Sequence, residues 1–500
     1  MNAAVVSARL RATDPQRWRA AAAAWRRWAA LAGRLAAEFP AHLARLGAAW
    51  SGAAATAAAR RLAALRHRLI RFRLLCWQAD QALSEFAAAL ERAKAAVSGD
   101  PAAEVTATRP PAAAGAGSAI AATADAAAAA RLAEIATAVG RAGRPPGPDR
   151  PGCGASPAAV RRWWAGLTSG ERQWLLCTEA AWLAARDGIP VTDRDAANRL
   201  LLDDRRRELE RALAEATGGP RRRRLLDLRR GLEAIADRLD GDAGPRAYLL
   251  RLDLTGEGRT VLALGDLDRA DNVLTHVPGM TAGLASAGGE LARAERVAVR
   301  ATELAPGSAT GAVLWLDYDA PDFVDEAASA RRAEAAAPAL RTFQEGLRAT
   351  HDGPAARQTV LGHSYGSLVV GRAAAGAGLE ADSVVFVGSP GVGVDTADRV
   401  RGHGGEVWAT TSRTDVIQYA AVAPGTLIRD LAVAGAIPVA GPLLAFGRPE
   451  RDLWFGTNPS DPAFGARTFA AQADAGHLGY WDRGRPALDM LAAVALGTAR

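Results

Sequence analysis

Apolar positions in the first hundred residues recur at sums of three and four. After Thr13-Asp14-Pro15, a cap followed by proline, Trp18, Trp25, Trp28, Leu35 and Phe39 are spaced seven, three, seven and four apart. This spacing predicts a helix, which Pro40 is expected to end or kink. A second run, Leu62, Leu65, Leu69, Phe72, Cys76, Leu83, Phe86, Leu90 and Val97, keeps the same period. Two apolar seams of this kind need each other, so residues 1–143 are expected to form an α-helical hairpin region. Ser98–Gly117 reads as a linker within it. Residues 118–142 are alanine-rich and helical in pattern.

Beyond residue 143 the pattern changes twice. Residues 144–157 (RPPGPDRPGCGASP) hold five prolines and read as a linker. Residues 158–246 keep a helical period and form a lead-in. From 247 to 500, short apolar runs alternate with helical stretches. The strand candidates are 247–254, 260–265, 272–279, 311–318, 359–364, 383–390, 406–412 and 466–471. The first two suit an opening pair. The others are apolar almost throughout, the signature of strands buried on both faces. The fold class expected is α/β, with a largely parallel central sheet preceded by an all-α region.

Composition narrows the function. At 500 residues the chain exceeds a single core. Lys94 is the sole lysine, so the formal net charge of +7 is carried by arginine. The run Arg221–Arg224 precedes leucines at helical spacing and reads as a solvated helix face, so no nucleic-acid partner is expected. Cys76, Cys153 and Cys177 have neither disulfide nor metal spacing. No stretch is long and apolar enough to span a membrane, and Val433–Phe446 is broken by Pro438 and Pro442. The first residues lack the apolar core of a secretory signal. A cytoplasmic location, or export by a route independent of such a signal, is expected.

The candidate chemistry centres on Gly362-His363-Ser364-Tyr365-Gly366, a Gly-x-Ser-x-Gly string between a predicted strand and a predicted helix. That is the setting of a nucleophile elbow, in which the glycines let strand and helix pass closely and the serine is exposed at a sharp turn. Such a serine needs a base, and the base needs a carboxylate, in the chain order Ser, acid, His. His477 follows the last strand candidate, whereas His403 precedes a strand and falls at the wrong end. Asp415 follows strand 406–412, with Asp430, Asp461 and Asp474 as competing acids. For the oxyanion, the backbone N–H of Tyr365 and one from Gly279, Met280 or Thr281, after strand 272–277, are the candidate donors. His276 reads as structural. No metal or organic cofactor is called for, and no His-Glu-x-x-His string is present.

Two resemblances add to this. VRRWWAGL, RDGIPVTDRDAANR, ALGDLDRADNV, HVPGMTAG, VLWLDYDAP, GHSYGS, VGSPGVGV, ATTSRTDVI and AGHLGYWD occur in order over 158–500. Together they resemble the actinobacterial α/β-hydrolase family catalogued as domain of unknown function 1023. The resemblance implies a hydrolase with the roles of nucleophile, acid and base on Ser364, Asp415 and His477. It implies no known substrate; the residues themselves lead us to expect cleavage of an ester or related acyl bond, with lipid or cell-envelope esters as the class by analogy. Trp50-Ser51-Gly52, between the two helical runs, resembles the Trp-x-Gly hairpins exported by type VII secretion. The Tyr-x-x-x-Asp/Glu signal of that family is missing, since no tyrosine precedes Tyr248. The hairpin also suits a helical partner or self-association, and the alternative function is a secreted or partner-binding helical-hairpin protein with the hydrolase part as scaffold.

Overall fold

The computed structural model describes residues 10, 12–98, 111–138, 145–147, 150–241, 244–322, 324–400, 402, 404–415, 417 and 452–500. His403, Asp430 and the 433–446 stretch lie outside them.

Helices α1 (Pro15–Ala49) and α2 (Ala53–Ser98) form the hairpin. Asp14 caps α1, its carboxylate accepting from the Gln16 N–H at 2.9 Å, with Pro15 in the first turn where its missing N–H costs nothing. The buried seam of α1 is Ala22, Ala29, Ala32, Gly33 and Ala36, small residues that let the second helix approach closely. The turn falls at Trp50–Gly52, where Gly52 takes φ +103°. Pro40 does not end α1. The helix continues through it to Ala49, so the expected break is replaced by the loss of one backbone hydrogen bond. The expected 98–117 linker is also shorter at its far end, because α3 (Pro111–Ala138) begins at Pro111. Proline in a first helical turn is a start signal, not a linker signal.

The lead-in is helical: α4 (Pro157–Gly166), α5 (Ser169–Thr178), α6 (Val191–Glu215) and α7 (Gly219–Asp240), with a single short turn of helix at Ala180–Ala184. Ser156 caps α4 and a Thr168–Glu171 capping box starts α5.

The C-terminal part is an eight-stranded sheet. Its strands are β1 (Ala247–Asp253), β2 (Arg259–Leu264), β3 (Asn272–Val277), β4 (Thr310–Leu316), β5 (Arg357–His363), β6 (Ser383–Val387), β7 (Glu406–Thr410) and β8 (Arg467–Thr468), in the order β1-β2-β4-β3-β5-β6-β7-β8. Only β2 runs against its neighbours. Successive residues of the central strands enter opposite cores. Val360, Val384, Phe386 and Val407 face one; Leu361, Val385, Val387 and Trp408 face the other. Helices α9 (Arg331–Thr350) and α10 (Tyr365–Ala374) supply the first core, and α11 (Pro486–Leu496) closes the second. Helix α8 (Ala287–Leu304) contributes to both. Burial on both faces explains the unbroken apolar runs. No helix among the described residues is long and apolar enough to cross a membrane.

The hairpin is tied to this body through buried charges. Asp80 of α2, fully buried, pairs with Arg26 of α1 and with Arg246, at 3.0 Å, just before β1. Arg246 also reaches Asp195 of α6 at 3.3 Å. Arg131 of α3 bridges Glu85 and Asp266, and the Tyr248 hydroxyl donates to Glu85 at 2.5 Å. Asp80→Ala is expected to cost about 3–5 kcal/mol, because it removes a fully buried carboxylate shared by two largely buried guanidinium groups. Urea unfolding checks it, and a loss under about 1 kcal/mol would contradict this account.

A second buried carboxylate sets a pH dependence. Asp268, in the loop before β3, accepts from the Val191 N–H at 2.8 Å and the Thr350 hydroxyl at 2.6 Å. Burial nonetheless pushes its carboxyl up to about 7. The unfolded chain, with an ordinary aspartate near 3.9, has released this proton where the folded chain still holds it. The stabilisation is complete below about pH 4 and is lost as pH rises through about 7, on the order of 4 kcal/mol in all. Asparagine carries no charge at any pH; its oxygen can accept from the Val191 N–H while its NH₂ donates to a Thr350 hydroxyl turned toward the Leu347 carbonyl. Melting temperatures at pH 5, 6.5 and 8 (about these values suffice) are expected to diverge in favour of Asp268→Asn as pH rises. Parallel curves would exclude Asp268 as the cause.

Candidate active site at the carboxyl edge of the sheet

Strands β3, β5, β6, β7 and β8 are parallel, so the loops that leave them gather on one edge. Ser364 stands between β5 and α10 with φ +53° and ψ −129°. Thr281 and Ser364 are the two non-glycine positions at positive φ among the described residues. Such a conformation costs about 1–3 kcal/mol and persists only where the surroundings impose it. They do so here. The Ser364 N–H donates to the Val387 carbonyl at 3.0 Å. A Cβ on Gly362 would lie 2.5 Å from Ser367 Cα, and one on Gly366 would lie 2.2 Å from the Val277 carbonyl oxygen. Both positions require glycine for close approach.

Asp415 lies beyond β7 and is fully buried. Its carboxylate accepts from the Ile417 N–H at 3.0 Å and from the Tyr480 hydroxyl at 2.6 Å. His477 Nδ1 lies 2.9 Å from both of its oxygens. The Tyr480 hydroxyl also accepts from the Ser412 N–H at 2.9 Å. Burial, with Asp415 alongside, pushes this phenol above its ordinary range, so it stays a donor to the carboxylate.

The His477 ring lies against that of His363, the residue before Ser364, with centroids 4.7 Å apart. His363 Nε2 is 3.0 Å from the His477 carbonyl oxygen. A carbonyl only accepts, so Nε2 carries the proton. Burial, aided by His477, His276 and Arg293, holds His363 well below the usual histidine range, and it is neutral. It therefore anchors the backbone of His477. Gly388, after β6, completes the enclosure at φ +52°: a Cβ there would meet Asp415 Oδ2 at 2.7 Å and His477 Nδ1 at 3.2 Å.

The fold thus brings Ser364, Asp415 and His477 to one edge. The competing acids are occupied elsewhere: Asp461 caps a short turn through the Ala463 N–H, and Asp474 pairs with Arg485 at the surface. His276 is buried against Trp481, its Nε2 3.0 Å from Glu290. After β3, Gly279 passes beside the serine, and a Cβ on it would sit 2.6 Å from Ser364 Cβ. Thr281 is corrected as an oxyanion donor, since its N–H is committed to the Pro321 carbonyl at 2.8 Å. Gly279 and Met280 remain. Tyr365 opens α10, where its N–H has no intrahelical acceptor. Its hydroxyl donates to the Ser329 carbonyl at 2.6 Å.

Sequence reasoning missed Gly388, His363 and Tyr480. Only Gly388 left a signal, a glycine inside the otherwise apolar strand candidate 383–390.

Comparison with known proteins agrees with this architecture. Residues 253–424 match a family described as alpha/beta hydrolase, a stretch that includes Ser364 and Asp415 and stops short of His477. Uncharacterized protein Rv2079 of Mycobacterium tuberculosis is 31% identical over 387 residues, covering 69% of this chain and 56% of that protein. Uncharacterized protein Mb0988c of Mycobacterium bovis is 33% identical over 179 residues, covering 34% of this chain and 66% of its own length. The chain thus spans about half the length of the first of these relatives. No solved structure gives a significant match. With its mostly parallel sheet and the matched segment, the C-terminal part of the chain carries an alpha/beta hydrolase domain.

Proposed function

We propose that the protein is a serine hydrolase that cleaves an ester or related acyl bond through an acyl-enzyme. The observation that carries this reading is the strained Ser364 turn, whose neighbour His363 packs on an imidazole with its Nδ1 held by a buried carboxylate. Ser364 Oγ attacks the carbonyl carbon while His477 Nε2 takes its proton. Asp415 fixes the tautomer with hydrogen on Nδ1 and stabilises the imidazolium. The N–H of Tyr365, with one from Gly279 or Met280, receives the oxyanion. His477 then returns the proton to the leaving alcohol, and water repeats the sequence to release the acid. A lipid or cell-envelope ester is the substrate class we favour.

A fluorophosphonate reagent tests the nucleophile directly. The native chain is expected to gain one phosphonyl group on Ser364, located by peptide mass spectrometry, and the heat-unfolded chain none. A folded chain that takes no label, or takes it elsewhere, sinks the proposal.

A further inference from the structure

The charge of the chain is unevenly placed. Residues 15–79 hold twelve arginines and one acidic residue, Glu38, a net +11 against +7 for all 500 residues. The remainder is therefore net negative. This basic segment is α1 and the first half of α2.

Its outward faces carry apolar side chains among the arginines. On α1, Arg27, Trp28, Leu31, Arg34 and Leu35 fall on one face at helical spacing, and all five are exposed. Trp28 is 54% exposed, unusual for a side chain of that size. On α2, Arg61, Leu65, Arg68 and Phe72 follow one another at four, three and four residues and are likewise exposed. None of Arg27, Arg34, Arg61 and Arg68 has a hydrogen bond or ion pair among the described residues. Trp50 is exposed in the turn between the helices.

Toward its turn the hairpin loses its ties to the body. Helix α3 runs back along α2 and reaches Arg71, which donates to the Ala138 carbonyl at 3.4 Å. Arg71 also reaches Gln173, and Arg73 pairs with Asp203 at 2.5 Å. Among the described residues, no hydrogen bond or ion pair ties 40–66 to the hydrolase part. The first eighteen residues of α2, 53–70, extend about 27 Å.

From this we infer that the hairpin arm docks on an anionic lipid bilayer, its tryptophans and leucines entering the headgroup boundary and its arginines contacting lipid phosphates. The two components of the surface select this partner together. Unpaired arginines call for phosphate, which guanidinium groups bind through paired donors. Leu31, Leu35 and Leu65 gain nothing from a nucleic acid backbone and require an apolar phase. Tryptophan beside arginine is the composition that rests at a bilayer interface. The inference does not depend on the hydrolase chemistry proposed above.

Co-sedimentation of the full chain with vesicles tests it. Binding is expected to phosphatidylcholine vesicles containing phosphatidylglycerol, to weaken at high salt, and to be slight with phosphatidylcholine alone. Each arginine near the surface contributes about fivefold in partitioning, so Arg61→Ser with Arg68→Ser should lower it about 25-fold. Leu35→Ser with Leu65→Ser should lower it as well, with the far-ultraviolet dichroism of both variants unchanged. Brominated lipids give a second readout on the unaltered chain and should quench part of its tryptophan fluorescence. Absence of binding to the anionic vesicles overturns the inference. So does binding indifferent to the leucine changes, or displacement from vesicles by a DNA duplex.

Discussion

Ser364→Ala is expected to lower ester turnover by on the order of 10⁶-fold while leaving the fold intact. The side chain lost is one hydroxyl, so the chemical change is confined to the attacking atom. Alanine at φ +53° meets the same backbone strain as serine, and the contacts that impose the turn involve the Ser364 backbone and its glycine neighbours. Stability should therefore shift by no more than about 0.5 kcal/mol. A residual acceleration over water of about 10³–10⁴ should survive, because the oxyanion donors are backbone groups that the substitution leaves in place. Nitrophenyl esters of graded acyl length provide the assay and rank chain-length preference in the native protein. Turnover in Ser364→Ala within about tenfold of native would remove Ser364 from the chemistry.

How much of this was legible before the fold was known depended on the range of the determining interactions. The elbow was legible because its requirements are local: a buried strand, two glycines and a helix within one stretch of chain. Asp415 and His477 were picked by order and by position after predicted strands, and parallel strands place such positions on one edge. The supporting groups were not legible. His363 acts on a carbonyl 114 residues away and Tyr480 on a carboxylate 65 residues away, and no local pattern encodes either pairing. The error over Thr281 has the same origin, since its amide is taken by Pro321, from the loop after β4. At Pro40, local propensity pointed to a break, yet the helix continues through it to Ala49.

Asp415→Asn is expected to reduce kcat about 10⁴-fold with little change in substrate binding. The carboxylate accepts from three directions, the Ile417 N–H, the Tyr480 hydroxyl and His477 Nδ1–H, and it is sealed from water. An asparagine has a single acceptor oxygen, so its NH₂ must face one of these donors. The Ile417 amide cannot reverse its role. The Tyr480 hydroxyl already accepts from the Ser412 N–H, which keeps its own hydrogen directed at residue 415. His477 is the group that can yield, by moving its proton to Nε2 and accepting on Nδ1. That tautomer presents N–H to the serine and has no lone pair with which to take the proton. The geometry would survive while the base is lost. Labelling by the fluorophosphonate should slow in proportion to kcat, since both need a deprotonated Ser364. If Asp415→Asn instead labels and turns over at the native rate, the carboxylate that orients His477 must come from outside the described residues, and Asp430 becomes the acid to test.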